Sequence, residues 1–291
     1  MTLTLGTGPF GRAPGGRFTF EPPRAVIYIE EFPRRMRARF AGETVIDSVR
    51  AVLLHESGLL PVLYFPEADV RMDLLEPTER ASHCPLKGDA AYYSVRVGER
   101  VARNAAWTYP EPLAGAPRLT GLVAFYWDAM EEWLEEDEPA IGHVRDPYHR
   151  VDVLDTSRHV VVSVRGQVVA DTRRARVLFE TGLPARWYIP RADVHPEALE
   201  ASESSSVCAY KGRASYFSMR VGGEVDPDLV WYYTEPLHDA VRVADYLCFF
   251  NERVDLEIDG VLQSRPRTPW SPDAQPEREQ IEMAMRWPGE S

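Results

Sequence analysis

The sequence predicts a mainly β (α+β) chain of two tandem domains, and three observations carry that prediction. The segment "CPLKGDAAYYSVRVG" from Cys84 returns as "CAYKGRASYFSMRVG" from Cys208, and the offset of 124 residues holds without a gap across 55–112 and 179–236. Close to half of those positions are identical, so the chain is an internal duplication of domain-sized units rather than a short-period solenoid. Alternating runs broken by glycine, "RARFAGETVIDS" at Gly42 and "VVVSVRGQVVADT" at Gly166, have the period of β-hairpins. A single stretch in each copy carries helical spacing instead.

The elements follow in order. "VLYFP" and "RWYIP" are aromatic, β-branched strands stopped by Pro66 and Pro190. The polar, Pro-bearing stretch between Pro66 and Cys84, like its counterpart "HPEALEASESSS", is expected to be a loop placed to cover a site. "YYSVRVGERV" and "YFSMRVGGEV" are hairpins turning at Gly98 and Gly222. In "LTGLVAFYWDAMEEWLEE", Leu122, Phe125, Tyr126, Met130 and Trp133 fall near helical spacing, which predicts one late helix. Its counterpart "VADYLCFFNERVDLEIDG" reads as a shorter helix running into a strand. The resulting organisation is an N-terminal arm (1–28), a first domain (29–145), a second (146–262) and a Pro-rich tail (263–291). Gly and Pro in the arm and the tail predict mobile or draped segments.

Composition narrows the partners. The net charge of −12 argues against nucleic acid and anionic membrane, both of which require a basic footprint. The arginines of "PRRMRAR" and "TRRARVL" alternate with apolar residues, as on the solvated faces of strands. No apolar run reaches membrane-spanning length, and the N-terminus lacks the pattern of a signal peptide. A cytoplasmic protein is therefore expected, with Cys84, Cys208 and Cys248 as free thiols.

The segments "YFPEADVRMDLLEPTE", "HCPLKGDAAYYSVRVG", "AAWTYPEPL" and "LVAFYWD" resemble the bacterial domain of unknown function 427 family, which also carries a nucleotidyltransferase-like label. The resemblance covers both copies through the Cys-Pro-x-Lys-Gly and Trp-x-Tyr-Pro signatures. It implies compact strand-rich domains of the β-tent type, two sheets pinned at one edge. Copy two departs with Ala209 for the proline before its lysine turn and Thr234 for Pro110. The chain has no Gly-Ser pair followed by spaced acidic residues, and no Gly-rich phosphate loop, so nucleotidyl transfer is not expected.

The candidate site comes from chemistry shared by the copies. Related β-tent proteins hold zinc on four soft ligands, but each copy has one cysteine there, and the conceivable set His55, His83, Cys84 has no counterpart in copy two; no metal and no cofactor are expected. Lys87 and Lys211 are the chain's two lysines, against thirty-one arginines, and they occupy equivalent positions. A lysine there offers a compact three-donor charge for an anionic or carbonyl oxygen, or else pairs structurally with Glu56 or Glu180. Tyr64, Tyr92, Trp107 and Tyr109 recur as Tyr188, Tyr216, Trp231 and Tyr233. Trp107 and Tyr109 are two apart and share a strand face, which with a Lys and a Glu beside it suits a flat polar ligand such as a sugar or nucleobase.

The leading expectation is a small-molecule-binding module, carbohydrate among its possible ligands, lined by Glu56, Tyr64, Lys87, Tyr92, Trp107 and Tyr109 and by Glu180, Tyr188, Lys211, Tyr216, Trp231 and Tyr233. The alternatives are an enzyme using Lys87 or Cys84 as the reactive group, and a ligand-free scaffold whose duplication serves packing between the domains. The copies also differ where His55 faces Phe179, so a His55 turned toward the cleft would give copy one alone a histidine-like pH dependence.

Overall fold

The computed structural model describes residues 3–12 and 14–274. The chain divides into two compact units between Asp146 and Pro147. Unit 1 contains β1 (Ile27–Glu31), β2 (Met36–Phe40), β3 (Glu43–Ser48), β4 (Val52–Glu56), β5 (Val62–Pro66), β6 (Leu75–Cys84), β7 (Gly88–Val97), β8 (Arg100–Thr108), β9 (Leu122–Phe125), β10 (Glu132–Glu135) and β11 (Glu138–Pro139). Seven of these form one antiparallel sheet in the order β1-β4-β5-β9-β8-β7-β6, and four form a second in the order β11-β10-β2-β3.

Unit 2 repeats the plan with β12 (Val151–Asp155), β13 (Val160–Val164), β14 (Gln167–Thr172), β15 (Arg176–Glu180), β16 (Arg186–Pro190), β17 (Leu199–Cys208), β18 (Gly212–Val221), β19 (Glu224–Tyr232), β20 (Tyr246–Phe249), β21 (Asp255–Ile258) and β22 (Val261–Leu262). Its sheets run β12-β15-β16-β20-β19-β18-β17 and β14-β13-β21-β22. Cys84 and Cys208 close equivalent strands, and Lys87 and Lys211 sit in equivalent turns.

Local chemistry explains the plan. The β2–β3 and β13–β14 hairpins turn on Ala41-Gly42 and Arg165-Gly166, with positive φ at both central residues, the geometry that matches strand twist in a two-residue loop. Both hairpins carry a bulge at the same register, after Ala38 and Val162. Between the sheets of unit 1 lies an apolar core that includes Met36, Ile46, Leu53, Phe65, Val95 and Trp133; Val160, Val162, Ile189, Met219 and Leu256 build its equivalent in unit 2. The arginines of "PRRMRAR" flank the outer face of β2 and meet Asp47, Asp137, Glu132 and Glu135.

Two expectations are corrected. The described residues hold no α-helix, only short 3-10 turns such as Trp127–Ala129 and His238–Val243. The late "helix" of unit 1 is β9, a 3-10 turn and β10. β9 is a central strand flanked by β5 and β8, with Val123 and Phe125 in the inter-sheet core and Ala124 on the opposite face. A strand buried on both faces has no polar alternation, so its apolar run mimics a buried helix. The expected loop between Pro66 and Cys84 is two 3-10 turns followed by the ten-residue strand β6, and β17 repeats it. Both are edge strands exposed along most of their length, so their side chains are polar on both faces and the period of two vanishes.

The N-terminal arm is draped: Thr4 is buried, its carbonyl accepts from the Gly58 amide, and the Phe10 carbonyl accepts from the Ser57 hydroxyl. Residues 263–274 pack on unit 2, while 275–291 of the expected tail lie outside the described residues. No helix among the described residues is long and apolar enough to cross a membrane.

Candidate functional site

The seven-stranded sheet of each unit has a second face, turned away from the small sheet. In unit 1 it is built from Leu54, Tyr64, Ala90, Tyr92, Tyr109 and Ala124, with Cys84, Trp107, Leu122 and Tyr126 packed against them half-buried. Trp107 Nε1 donates to the Tyr64 hydroxyl at 3.3 Å, and the indole lies against Tyr126 with ring centroids 4.7 Å apart. Tyr92 shares a hydrogen bond with Ser82 on β6 at 2.8 Å, and the Arg80 guanidinium lies 4.6 Å from its ring centroid. Burial pushes the phenols of Tyr64 and Tyr109 well above the ordinary tyrosine range, and that of Tyr126 to about 12. All three remain neutral near pH 7.

Glu56 ends β4, the second strand in the sheet order, whereas Lys87 sits in the β6–β7 turn at the far edge. Four interstrand steps of about 4.8 Å would hold a flat sheet open by roughly 19 Å there. Lys87 Nζ nevertheless donates to Glu56 Oε2, with Cys84 Sγ 4.0 Å from Glu56 Oε1 and the ammonium 5.7 Å from the Tyr109 ring centroid. The sheet therefore curls until its edges converge, and this ion pair clasps them. Its side chains are 9% and 14% exposed.

The signature residues around the lysine follow from the turn. Lys87 N–H donates to the Cys84 carbonyl, and the Lys87 carbonyl accepts from Leu113 N–H, so the chain after Trp-x-Tyr crosses directly over the Lys-Gly pair. Gly88 has φ +105, and a Cβ there would lie 3.3 Å from the Glu111 carbonyl; Gly212 has φ +102 with the same contact to Glu235. Gly88→Ala should therefore cost about 1–3 kcal/mol, read as a lower urea midpoint at unchanged slope. A loss no larger than that of Gly98→Ala, where a Cβ meets nothing within 4 Å, would contradict this account.

Unit 2 repeats the face and then covers it. Lys211 Nζ donates to Glu180 Oε2, and Trp231 Nε1 to the Tyr188 hydroxyl at 3.0 Å. His149 Nε2 adds a donation to Glu180 Oε1 at 3.1 Å, with its ring stacked 3.7 Å from that of Tyr210. At the 124-residue offset unit 1 has Ala25 and Leu86 in those places. Burial opposes ionisation of Glu180, but Lys211 and the His149 hydrogen bond outweigh it and hold the carboxyl down at about 2. Burial likewise opposes the Lys211 charge, yet Glu180 raises its pKa overall, so the amine stays an ammonium. Farther along the face, Arg186 makes a two-pronged pair with Glu252, Nη1 to Oε2 at 2.8 Å and Nη2 to Oε1 at 2.7 Å, where unit 1 has Val62 and Asp128.

Each residue singled out from the sequence can now be placed. Tyr64, Lys87, Tyr92 and Tyr109 are buried on the face, and Glu56 and Trp107 are half-buried. Glu180, Tyr188, Lys211, Trp231 and Tyr233 are buried, and Tyr216 is half-buried with its hydroxyl 2.6 Å from that of Ser206. His55 does not face the site: it alternates with Glu56 on β4, is fully buried, and bonds Glu30 at 2.9 Å with Asp146 3.7 Å away. The condition set for a His55-dependent site in copy one is therefore not met. His83, exposed on the edge strand, pairs with Asp89, so the set His55, His83, Cys84 does not converge. All three cysteines are free thiols.

Sequence comparison of the copies missed His149, Arg186, Glu252 and the Thr268–Trp270 segment that packs on the latter two, because each belongs to one copy alone. The available signal was the Arg186 and Glu252 pair itself, two charges at positions where unit 1 has valine and aspartate in or beside central strands.

The fold and this shared face define a tandem pair of two-sheet β domains, each clasped by one Lys–Glu pair. The family model described as domain of unknown function (DUF427) matches residues 28–136 and 152–260. The chain belongs to that family and carries two copies of its domain. No curated protein matches the chain.

Proposed function

We propose that the chain is a small-molecule-binding module whose operative site is the unit 1 face, taking a small polar ring such as a sugar or nucleobase. The observation that carries this reading is the asymmetry of cover. Glu56 keeps 14% of its side chain exposed and Trp107 is half-buried, whereas Glu180 keeps 5% beneath the His149–Tyr210 stack and Trp231 is buried. The lysines themselves are equally buried, so the difference lies in what surrounds them. A small polar ring reaching the Lys87–Glu56 pair would accept from the ammonium and donate to the carboxylate, with the aromatic side chains of the same face as its apolar wall. A cytoplasmic location belongs to the same proposal, supported by the three free thiols.

The geometry favours binding over catalysis by Lys87 or Cys84. The Lys87 amine is engaged as the donor of an ion pair, and the Cys84 thiol faces the Glu56 carboxylate, which cannot act on it as a His base would. A thermal-shift panel of monosaccharides, nucleosides and small carboxylic acids tests the reading. At least one class should raise the melting temperature of the wild type, and that shift should vanish in Lys87→Ala. A panel without any shift would leave the duplicated face as a scaffold.

A further inference from the structure

The charged end of the unit 2 face is covered by a segment that lies outside the matched family domain, which ends at residue 260. Arg186 is 5% and Glu252 0% exposed in side chain. The guanidinium lies 5.4 Å from the Trp231 ring centroid on the domain and 5.9 Å from that of Trp270 on the segment. Thr268 Oγ1 donates to Glu252 Oε1 at 2.5 Å and accepts from Trp270 N–H at 3.2 Å. Ser271 closes a local turn on Thr268, with Ala274 buried behind it. Arg265 adds an outer tether to Asp255 at 2.8 Å.

We propose that Arg186, Glu252 and Trp231 form a peptide seat on unit 2, occupied in cis by the Thr268-Pro269-Trp270-Ser271 strap. The seat reads two chemical features in one short segment: a hydroxyl that donates to a buried carboxylate, and an indole laid against a buried guanidinium. Its ligand class is therefore a Thr/Ser-x-aromatic peptide in a tight turn. The buried Arg186–Glu252 pair takes its further partners from the segment, a hydroxyl on the carboxylate and an indole beside the guanidinium, as expected where a domain binds a segment. Unit 1 has Val62 and Asp128 at these positions and so lacks the seat. The inference is independent of whether unit 1 binds a small molecule.

The test uses the full chain and a fluorescent peptide of residues 263–274. The wild type, whose seat is filled at the high local concentration of a tethered segment, should bind it weakly. Thr268→Val/Trp270→Ala should bind at least tenfold tighter, and adding Arg186→Met should abolish that gain. A folded strap variant that takes no peptide, or that binds no better than wild type, overturns the proposal. If the strap variant does not fold, Ser271→Cys in an otherwise wild-type chain decides it. Millimolar peptide should speed alkylation of that thiol at least threefold by displacing the strap, and an unchanged rate overturns the seat.

Discussion

Lys211→Met is expected to destabilise unit 2 by about 3–5 kcal/mol, because it strands Glu180 as a buried carboxylate without its ammonium. The equivalent Lys87→Met should cost less, since Glu56 keeps access to water. The pH dependence separates this from a packing effect. Against burial, Lys211 and His149 hold the Glu180 carboxyl down at about 2, below its ordinary value of 4.5, so its contribution is fully present above 4.5 and is lost as pH falls toward 2. That difference corresponds to roughly 3 kcal/mol. Lys211, shifted upward, contributes fully below its ordinary value of 10.5 and loses that contribution as pH rises through its folded value. In Lys211→Met, protonation of Glu180 relieves the burial cost, so the gap to wild type should narrow between pH 7 and pH 3. Urea unfolding at both values measures it, and a gap that stays constant would show that the pair is not what the substitution disturbs.

Arg186→Ala should be comparably severe. Burial opposes ionisation of Glu252, and Arg186 with Thr268 holds its carboxyl down; removing the guanidinium leaves that carboxylate inside unit 2 without its counter-charge. A loss of about 3–5 kcal/mol is expected. Arg186→Met combined with Glu252→Leu removes both charges while keeping volume, and should recover most of that loss. A double-mutant cycle by urea unfolding gives the coupling directly. Additive losses would mean that each side chain is held by its own surroundings rather than by the other.

Much of the architecture was legible because duplication made the sequence its own alignment. The offset located both domains, and the glycine-broken alternation located the hairpins. The lysines stood out as well, since a composition that otherwise uses arginine placed lysine twice, each 31 residues from an equivalent glutamate, but the sequence left a ligand contact and a structural pair as open alternatives. What could not be read has physical causes. β9 and β20 are buried on both faces, so their apolar runs carry no period of two, while β6 and β17 are exposed edges and lose it in the opposite way. The curl that brings Glu56 to Lys87 is a property of seven paired strands rather than of any one. His149 and Arg186 were passed over for a different reason, since comparing the copies highlights what they share rather than what one copy added.

The central claim is that one fold, clasped twice by the same ion pair, keeps its shared face accessible in unit 1 and closed in unit 2. Calorimetric titration with the compound giving the largest thermal shift tests it most directly, in wild type, Lys87→Ala and Lys211→Ala. The account predicts one site per wild-type chain, a loss of about 1–3 kcal/mol of binding in Lys87→Ala if the ammonium donates a charged hydrogen bond, and unchanged affinity in Lys211→Ala. Two equivalent sites per chain, or a folded Lys87→Ala that binds as tightly as wild type, would contradict it.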